Sequence, residues 1–363
     1  MTDGAGPWGT GPYKRVEGFS LPEKRSDRVV LEANTAYWDP RRFPRLHRLV
    51  FDNTLSPKEA VELVKTSEGR VDVVTELSPL DTLRVAESAF ATVVKHRGSL
   101  WTVFGQFNMR KVESPWHDVR LRRAVNVAIN RADCIRYATK GNGGALPALF
   151  PVHSFGYNPE LAPYPLDPVK APHLRQEAGY ANGLSIALIA PEELEIQATV
   201  VSKRLAQAGF PVDLKLLDST ADNQQVLLSH QEQPPAHQVW DIALASWNDP
   251  ANFPLVELYY NFALGGAYDW VSEAAALRQL YEQAARTVDR ERQQALLRQM
   301  EQQTHDQAYF LFLYNPIKLY AVNKAVEFVP YVTTTLNFAE TSVTEHHWSV
   351  RKQKAAAPEY VTS

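Results

Sequence analysis

Residues 240–253 read Trp-Asp-Ile-Ala-Leu-Ala-Ser-Trp-Asn-Asp-Pro-Ala-Asn-Phe, and they crowd aromatic, carboxylate, carboxamide and hydroxyl groups into one short stretch. That mixture suits recognition: flat aromatic faces cover apolar or cationic surface while a few polar groups fix orientation. The candidate ligand contacts are Ser246, Trp247, Asp249, Asn252 and Phe253, with Glu192 and Glu193 approaching from a neighbouring strand end. An acidic, aromatic wall of this kind suits a cationic or sugar-like solute better than an anion. The same residues also describe a plain connection, with Asn-Asp-Pro as a turn and Trp247 and Phe253 as core anchors.

Patterns that carry catalysis are missing. The ten histidines are scattered, and His346-His347 has no further ligands at metal spacing, so surface histidines and no metal site are expected. There is no nucleophile elbow, P-loop or calcium loop, and the adjacent acids Glu192 and Glu193 fit a solvated turn better than an acid/base dyad. A non-catalytic protein without a cofactor is expected. The single cysteine, Cys134, excludes an intrachain disulfide and reads as core.

Composition is that of a globular chain: 363 residues, 45% hydrophobic and 22% charged, enough for two lobes with substantial cores. A formal charge of -3 gives no electrostatic footprint for nucleic acid, and Arg120, Arg122 and Arg123 read as the solvated side of one helix. No run approaches membrane-spanning length, and residues 1–13 have neither the basic start nor the apolar stretch of a secretory signal. If Met1 is the true start, a cytoplasmic location is expected.

The elements that must position the candidate residues are legible as alternating periodicities. Extended runs at 9–13, 28–32 and 46–51 open the chain. Ser56-Pro57-Lys58-Glu59 then supplies an N-cap, a first-turn proline and an acidic first turn for a helix to about 66, and with a strand at 71–74 this predicts a β-α-β unit. A strand near 101–108 precedes one long helix over 118–138, which exits into Gly141-Asn142-Gly143-Gly144. A Pro- and aromatic-rich stretch, 146–165, suits a crossing between lobes.

A second α/β region follows, with strands at 184–190, 212–217 and 241–246 and a helix at 194–208, the ingredients of a parallel, helix-covered sheet. Helices over 272–288 and 289–305, extended runs at 309–314 and 317–322, irregular chain over 327–350 and a loose tail from 351 complete the reading.

Several of these stretches together resemble the family 5 extracytoplasmic solute-binding proteins, the peptide and nickel type that serve ABC importers. Gly9-Thr10-Gly11-Pro12-Tyr13, the run from Leu31 to Tyr37-Trp38, Gly69 with Asp72, and Asp167-Pro168 with Glu177-Ala178-Gly179-Tyr180 all match that family's pattern. The most specific match is Asp118-Val119-Arg120-Leu121-Arg122-Arg123-Ala124 through Ala128-Ile129-Asn130-Arg131, and Asp249-Pro250-Ala251-Asn252-Phe253 matches the loop that faces ligand. The resemblance implies an α/β, two-lobed periplasmic-binding-protein-like fold of type II, cluster C-like, lacking much of the first lobe. It implies a partial first lobe over 1–146 with 323–350 returning to it, a second lobe over 147–322 and a flexible tail over 351–363.

The implied function is non-catalytic solute binding by lobe closure, with an ABC transporter permease as partner and an extracytoplasmic location. A cytoplasmic interaction or sensing protein that kept the scaffold is the competing reading. Because almost nothing precedes the GTGPY turn, a second polypeptide or self-association is expected to cover the missing first-lobe segment.

Two departures bear on the ligand. Peptide binders of the family place an Asp three positions before the acid of the Asp-Pro pair, and here that position is Ser246; where dipeptide binders carry an Arg for the ligand carboxylate, residues 191–195 are acidic instead. Capture of a dipeptide by pairing both its charged ends is therefore not expected, since an unpaired charge in a closed cleft is costly. Pro172 falls inside the helix expected after Asp167-Pro168, so that helix should start late or kink.

Overall fold

The computed structural model describes residues 9–351, apart from 22–23, 68, 112, 233, 235–237, 263–265, 267, 272–273, 332 and 334–335. The tail expected from 351 onward lies, beyond Arg351, outside the described residues. The chain divides into two compact units, 1–96 with 318–363, and 97–317.

The first unit opens with β1 (Tyr13–Glu17), the short pair β2 (Ser20–Leu21) and β3 (Lys24–Arg25), β4 (Arg28–Ala33) and β5 (Arg48–Asp52). β1 and β5 flank β4, both antiparallel to it. Helix α1 (Pro57–Val64) starts where the sequence places it, because the Ser56 hydroxyl accepts the Glu59 N–H while the Glu59 carboxylate accepts the Ser56 N–H. β6 (Val73–Val74), α2 (Thr82–Ala86) and β7 (Ala91–His96) follow.

The expected β-α-β unit around α1 does not form. β5 belongs to the sheet of β4, whereas β6 pairs antiparallel with a strand from the far end of the chain. A two-residue strand has too little pattern of its own to announce a partner more than two hundred residues away.

The second unit comprises β8 (Trp101–Phe107), α3 (Val119–Ala128), α4 (Arg131–Thr139), β9 (Gly143–Ala145), α5 (Lys170–Glu177), β10 (Ile186–Pro191) and α6 (Glu195–Gln207). It continues with β11 (Val212–Leu217), α7 (Thr220–Glu232), β12 (Ile242–Asn248), α8 (Pro254–Phe262), α9 (Ala275–Arg286), α10 (Arg290–Asp306) and β13 (Phe310–Pro316). Its six-stranded sheet runs β11-β10-β12-β8-β13-β9. β11, β10 and β12 are parallel, as expected, but β8 is antiparallel to both β12 and β13, so the sheet is mixed.

This sheet moves the boundary expected at 146. β8 is buried on every residue from Thr102 to Phe107, which marks an interior strand covered on both faces, and with it α3, α4 and β9 belong to the second unit. The chain passes between units at His96–Arg97 and Ile317–Lys318, not through the Pro-rich stretch.

The helix expected over 118–138 is two helices. Ile129 is extended and the Asn130 carboxamide accepts the Ala132 N–H, which ends α3 and caps α4. The arginines are not a solvated stripe either. Arg120 is exposed beside Asp118, but Arg122 is 3% exposed and donates to the carbonyls of Trp116, His117 and Gln307, closing the carboxyl end of α10. Asn126 donates to the Phe310 carbonyl and accepts the Phe312 N–H, pinning α3 to β13, and buried Arg131 braces its carbonyls.

Pro172 sits in the first turn of α5, where its missing N–H removes no helical bond; Asp167 accepts the N–H groups of Val169 and Lys170 and delays the start. Cys134 is fully buried, and burial pushes its thiol up to about 12.

The return to the first unit begins with β14 (Lys318–Asn323), which the sequence reading assigned to the second lobe. β14 lies between β6 and β7, and β15 (Val326–Glu327) pairs with β16 (Ser342–Val343). Asp72 accepts from Trp348 Nε1 (3.2 Å) and contacts His347 Nε2 (3.0 Å). His347 is thus buried and engaged rather than a surface histidine, while His346 is exposed. Gly69, at φ +68°, lies so close to the Trp348 ring that any side chain there would overlap it.

Candidate functional site

β10 and β12 are parallel and adjacent, so their carboxyl ends, Pro191 and Asn248, deliver chain to the same edge of the sheet. In open α/β sheets that edge is where ligands bind. A small pocket of about 30 Å³ sits there, within the second unit, lined by Phe104 and Gln106 of β8, Pro191, Thr220, Asn223, Gln224 and Leu227 of α7, Ala245, Ser246 and Trp247 of β12, Asn261 of α8, and Tyr268. Trp247 also packs at 5.8 Å from Tyr260, and Tyr260 at 6.2 Å from Tyr268, giving the pocket an aromatic flank.

The sequence-predicted contacts divide. Ser246 and Trp247 line the pocket, and both are strand residues, since β12 runs two residues further than the sequence pattern suggested. Asp249 begins the turn: its Oδ1 accepts the N–H groups of Ala251 (3.2 Å) and Phe253 (3.0 Å). Asn252 adopts φ +49°, accepts the Phe155 N–H (2.8 Å) and donates to the His153 carbonyl (3.3 Å), tying the turn to the segment before α5. Phe253 is exposed, so it is not the core anchor of the plain-turn reading.

Glu192 and Glu193 lie on an exposed turn after β10, and Glu193 accepts the Thr220 N–H at the start of α7. Neither lines the pocket, so the acidic wall expected from the sequence does not form there.

Gln106, Asn223, Asn261 and Tyr268 were missed. Gln106 carried a signal, being the one carboxamide in an otherwise apolar run; Asn223 did not, because α7 shows no clear helical stripe. Asn223 is 2% exposed, its Nδ2 donates to the Leu244 carbonyl (3.0 Å), and its Oδ1 has no partner among the described residues. Trp247 Nε1 is likewise buried without one.

Behind the turn lies a second group the sequence did not announce. Asp249, Glu257 of α8 and Glu301 of α10 are all buried. Burial, then the charges of Glu301 and Asp249, holds the Glu257 carboxyl well above its usual range. Burial pushes Glu301 up to about 8, although both its oxygens accept backbone N–H groups, from Leu149 (3.3 Å) and Phe150 (3.4 Å). Among the described residues no group of three or more His, Cys, Asp or Glu is placed to hold a metal ion. No helix among them is long and apolar enough to cross a membrane.

A larger groove of about 620 Å³ runs between α4 and α6, beside Tyr137, Ile196 and Lys203. It is an open trough on helix faces, crossed by the Arg204–Asp133 ion pair, and its lining residues come from α4 and α6 rather than from any strand. The strand-end pocket is the better candidate.

Two α/β units linked by two chain passages, with a polar and aromatic pocket at parallel strand ends, define a binding-protein class of fold. The family model described as "Bacterial extracellular solute-binding proteins, family 5 Middle" matches residues 1–269. The chain belongs to that family.

Among curated relatives, the dipeptide-binding protein of Escherichia coli (strain K12) is 30% identical over 183 residues, covering 50% of this chain and 32% of the relative. The glutathione-binding protein GsiB of Pectobacterium atrosepticum is 27% identical over 217 residues, covering 59% of this chain and 40% of the relative. The matched stretches therefore span less than half the length of those relatives.

Solved structures agree on the fold. NikA from Brucella suis in complex with Fe(III)-EDTA superposes with a TM-score of 0.76 at 18% identity, covering 93% of this chain and 68% of that one. DppA from Helicobacter pylori in complex with peptide STSA gives 0.70 at 22% identity, covering 92% and 63%.

Proposed function

We propose that this chain binds a small solute without chemical transformation, as the substrate-binding component of an ABC importer of the peptide and nickel type. The observation that carries the reading is the polar, aromatic pocket at the carboxyl ends of β10 and β12 in a family 5 chain. Ser246 and Trp247 contact the solute, Phe253 offers an exposed aromatic face from the following loop, and Asp249 and Asn252 fix the loop's shape. Glu192 and Glu193 stand at the solvent rim. The partner is a transporter permease and the location extracytoplasmic, in keeping with the family's description as extracellular.

Titration calorimetry of the purified chain against a panel of peptides, sugars and amines tests this. Micromolar or tighter binding of at least one solute, reduced by Trp247→Ala, is expected. Uniform absence of heat across the panel would count against solute binding.

A second element of the reading concerns partners. Val16, Trp38, Phe43 and Val50 of the first unit are exposed apolar residues, and a second polypeptide or second copy of the chain would cover them. Mass in solution is the test: a monodisperse monomer at micromolar concentration contradicts self-association.

A further inference from the structure

The strand-end pocket holds no charged side chain. Every one of its described lining residues is apolar, aromatic, hydroxyl-bearing or a carboxamide. The neighbouring acids are not among its lining residues. Asp249 turns Oδ1 toward the backbone of its own loop, Glu193 caps α7, and Glu192 is exposed. On α8, the helix that contributes Asn261, Glu257 is buried, and its raised pKa favours the neutral form.

Among the described residues that line the pocket, two buried polar atoms have no partner. Asn223 donates to the Leu244 carbonyl through Nδ2, which fixes the carboxamide and leaves Oδ1 as an acceptor without a partner among the described residues. Trp247 offers Nε1–H as a donor in the same condition. A volume of about 30 Å³ admits a group of one to a few heavy atoms and not a whole solute.

We infer that this pocket receives one neutral group of the solute that both donates and accepts hydrogen bonds, a carboxamide or a hydroxyl, and that it rejects ammonium and carboxylate ends. The inference rests on the solute-binding reading above and narrows its substrate class to compounds that present a neutral polar end to this pocket, such as sugars or blocked peptides. The rejection is electrostatic. An ion entering the pocket loses hydration and meets only dipoles, whereas a neutral group trades water for the Asn223 acceptor and the Trp247 donor.

The experiment compares three probes on the full chain by calorimetry: zwitterionic dialanine, its N-acetylated and C-amidated neutral form, and maltose. At least one neutral probe should bind ten-fold or more tightly than dialanine. Asn223→Leu should weaken that probe at least ten-fold, while Glu282→Gln, on the exposed face of α9, leaves it unchanged, and thermal melts of each variant show whether it is folded. Should Asn223→Leu not fold, Trp247→Phe, which removes the indole donor and part of the ring while keeping an aromatic face, carries the same expectation. Dialanine binding as tightly as its blocked form, or a neutral probe unaffected by the folded pocket variant, overturns the inference and leaves solute binding standing. Silence from all three probes overturns the inference, and the broader panel then decides the reading beneath it.

Discussion

Replacing Glu301 by Gln should change how stability depends on pH more than it changes stability itself. The carboxyl is 1% exposed and its pKa is raised from an ordinary 4.5 to about 8. A carboxyl raised in the folded state contributes fully below pH 4.5, and that contribution is lost as pH climbs through about 8, because the unfolded chain ionises first. Integrating the proton difference from pH 5 to pH 8 gives a loss of roughly 3–4 kcal/mol from this one group. Gln does not titrate. It does, however, turn an amino group toward one of the two backbone donors, Leu149 or Phe150, which costs about 1–3 kcal/mol at every pH. The variant should therefore be weaker than the parent at pH 5 and level with it or stronger at pH 8. Urea denaturation at the two pH values reads this directly. A gap between parent and variant that moves by less than about 1 kcal/mol would refute the buried, neutral state assigned to Glu301.

Gly69→Ala should destabilise the first unit by about 2–4 kcal/mol, since it forces a side chain onto the Trp348 ring at a positive φ; in a Trp348→Ala background only the backbone cost of about 1 kcal/mol should remain, a difference that thermal melts of the four chains would resolve. Asn126→Ala strips β13 of two buried hydrogen-bond partners and should cost about 2–4 kcal/mol by denaturant titration. Pro172→Ala should move stability by less than about 1 kcal/mol, because that proline occupies a first turn; a loss near 3 kcal/mol would mean α5 starts earlier than observed.

What the sequence made legible was local. The Ser56 cap, the strand at 212–217 and the late start of α5 all rest on residues within a turn or two of each other, and the family on a set of such short stretches taken together. What it hid was non-local. Nothing near 101–107 tells that Trp101–Phe107 is an interior strand between β12 and β13, since its partners lie over a hundred residues away, and so the unit boundary was misplaced. At the site, Ser246 and Trp247 were found because a buried strand ending in a polar turn is visible as pattern. Asp249 and Asn252 look like ligand residues from composition, yet their hydrogen bonds to Ala251, Phe253, Phe155 and His153 show loop-building work that only geometry reveals. Arg122 and His347 teach the same lesson for charged and polar groups: burial with a backbone or carboxylate partner leaves no trace in spacing.

The two passages of chain between units also set an order of assembly. Residues 97–317 are contiguous, so the second unit has all its strands once the ribosome has released Pro316. The first unit cannot finish then, because β14, the strand between β6 and β7, is made only afterward. During synthesis the early strands β6 and β7 must wait for their middle member, with loop closure across the whole second unit still to come. A chain released at Ile317 would hold a complete second unit and a first unit whose β6 and β7 have edges with nothing to pair.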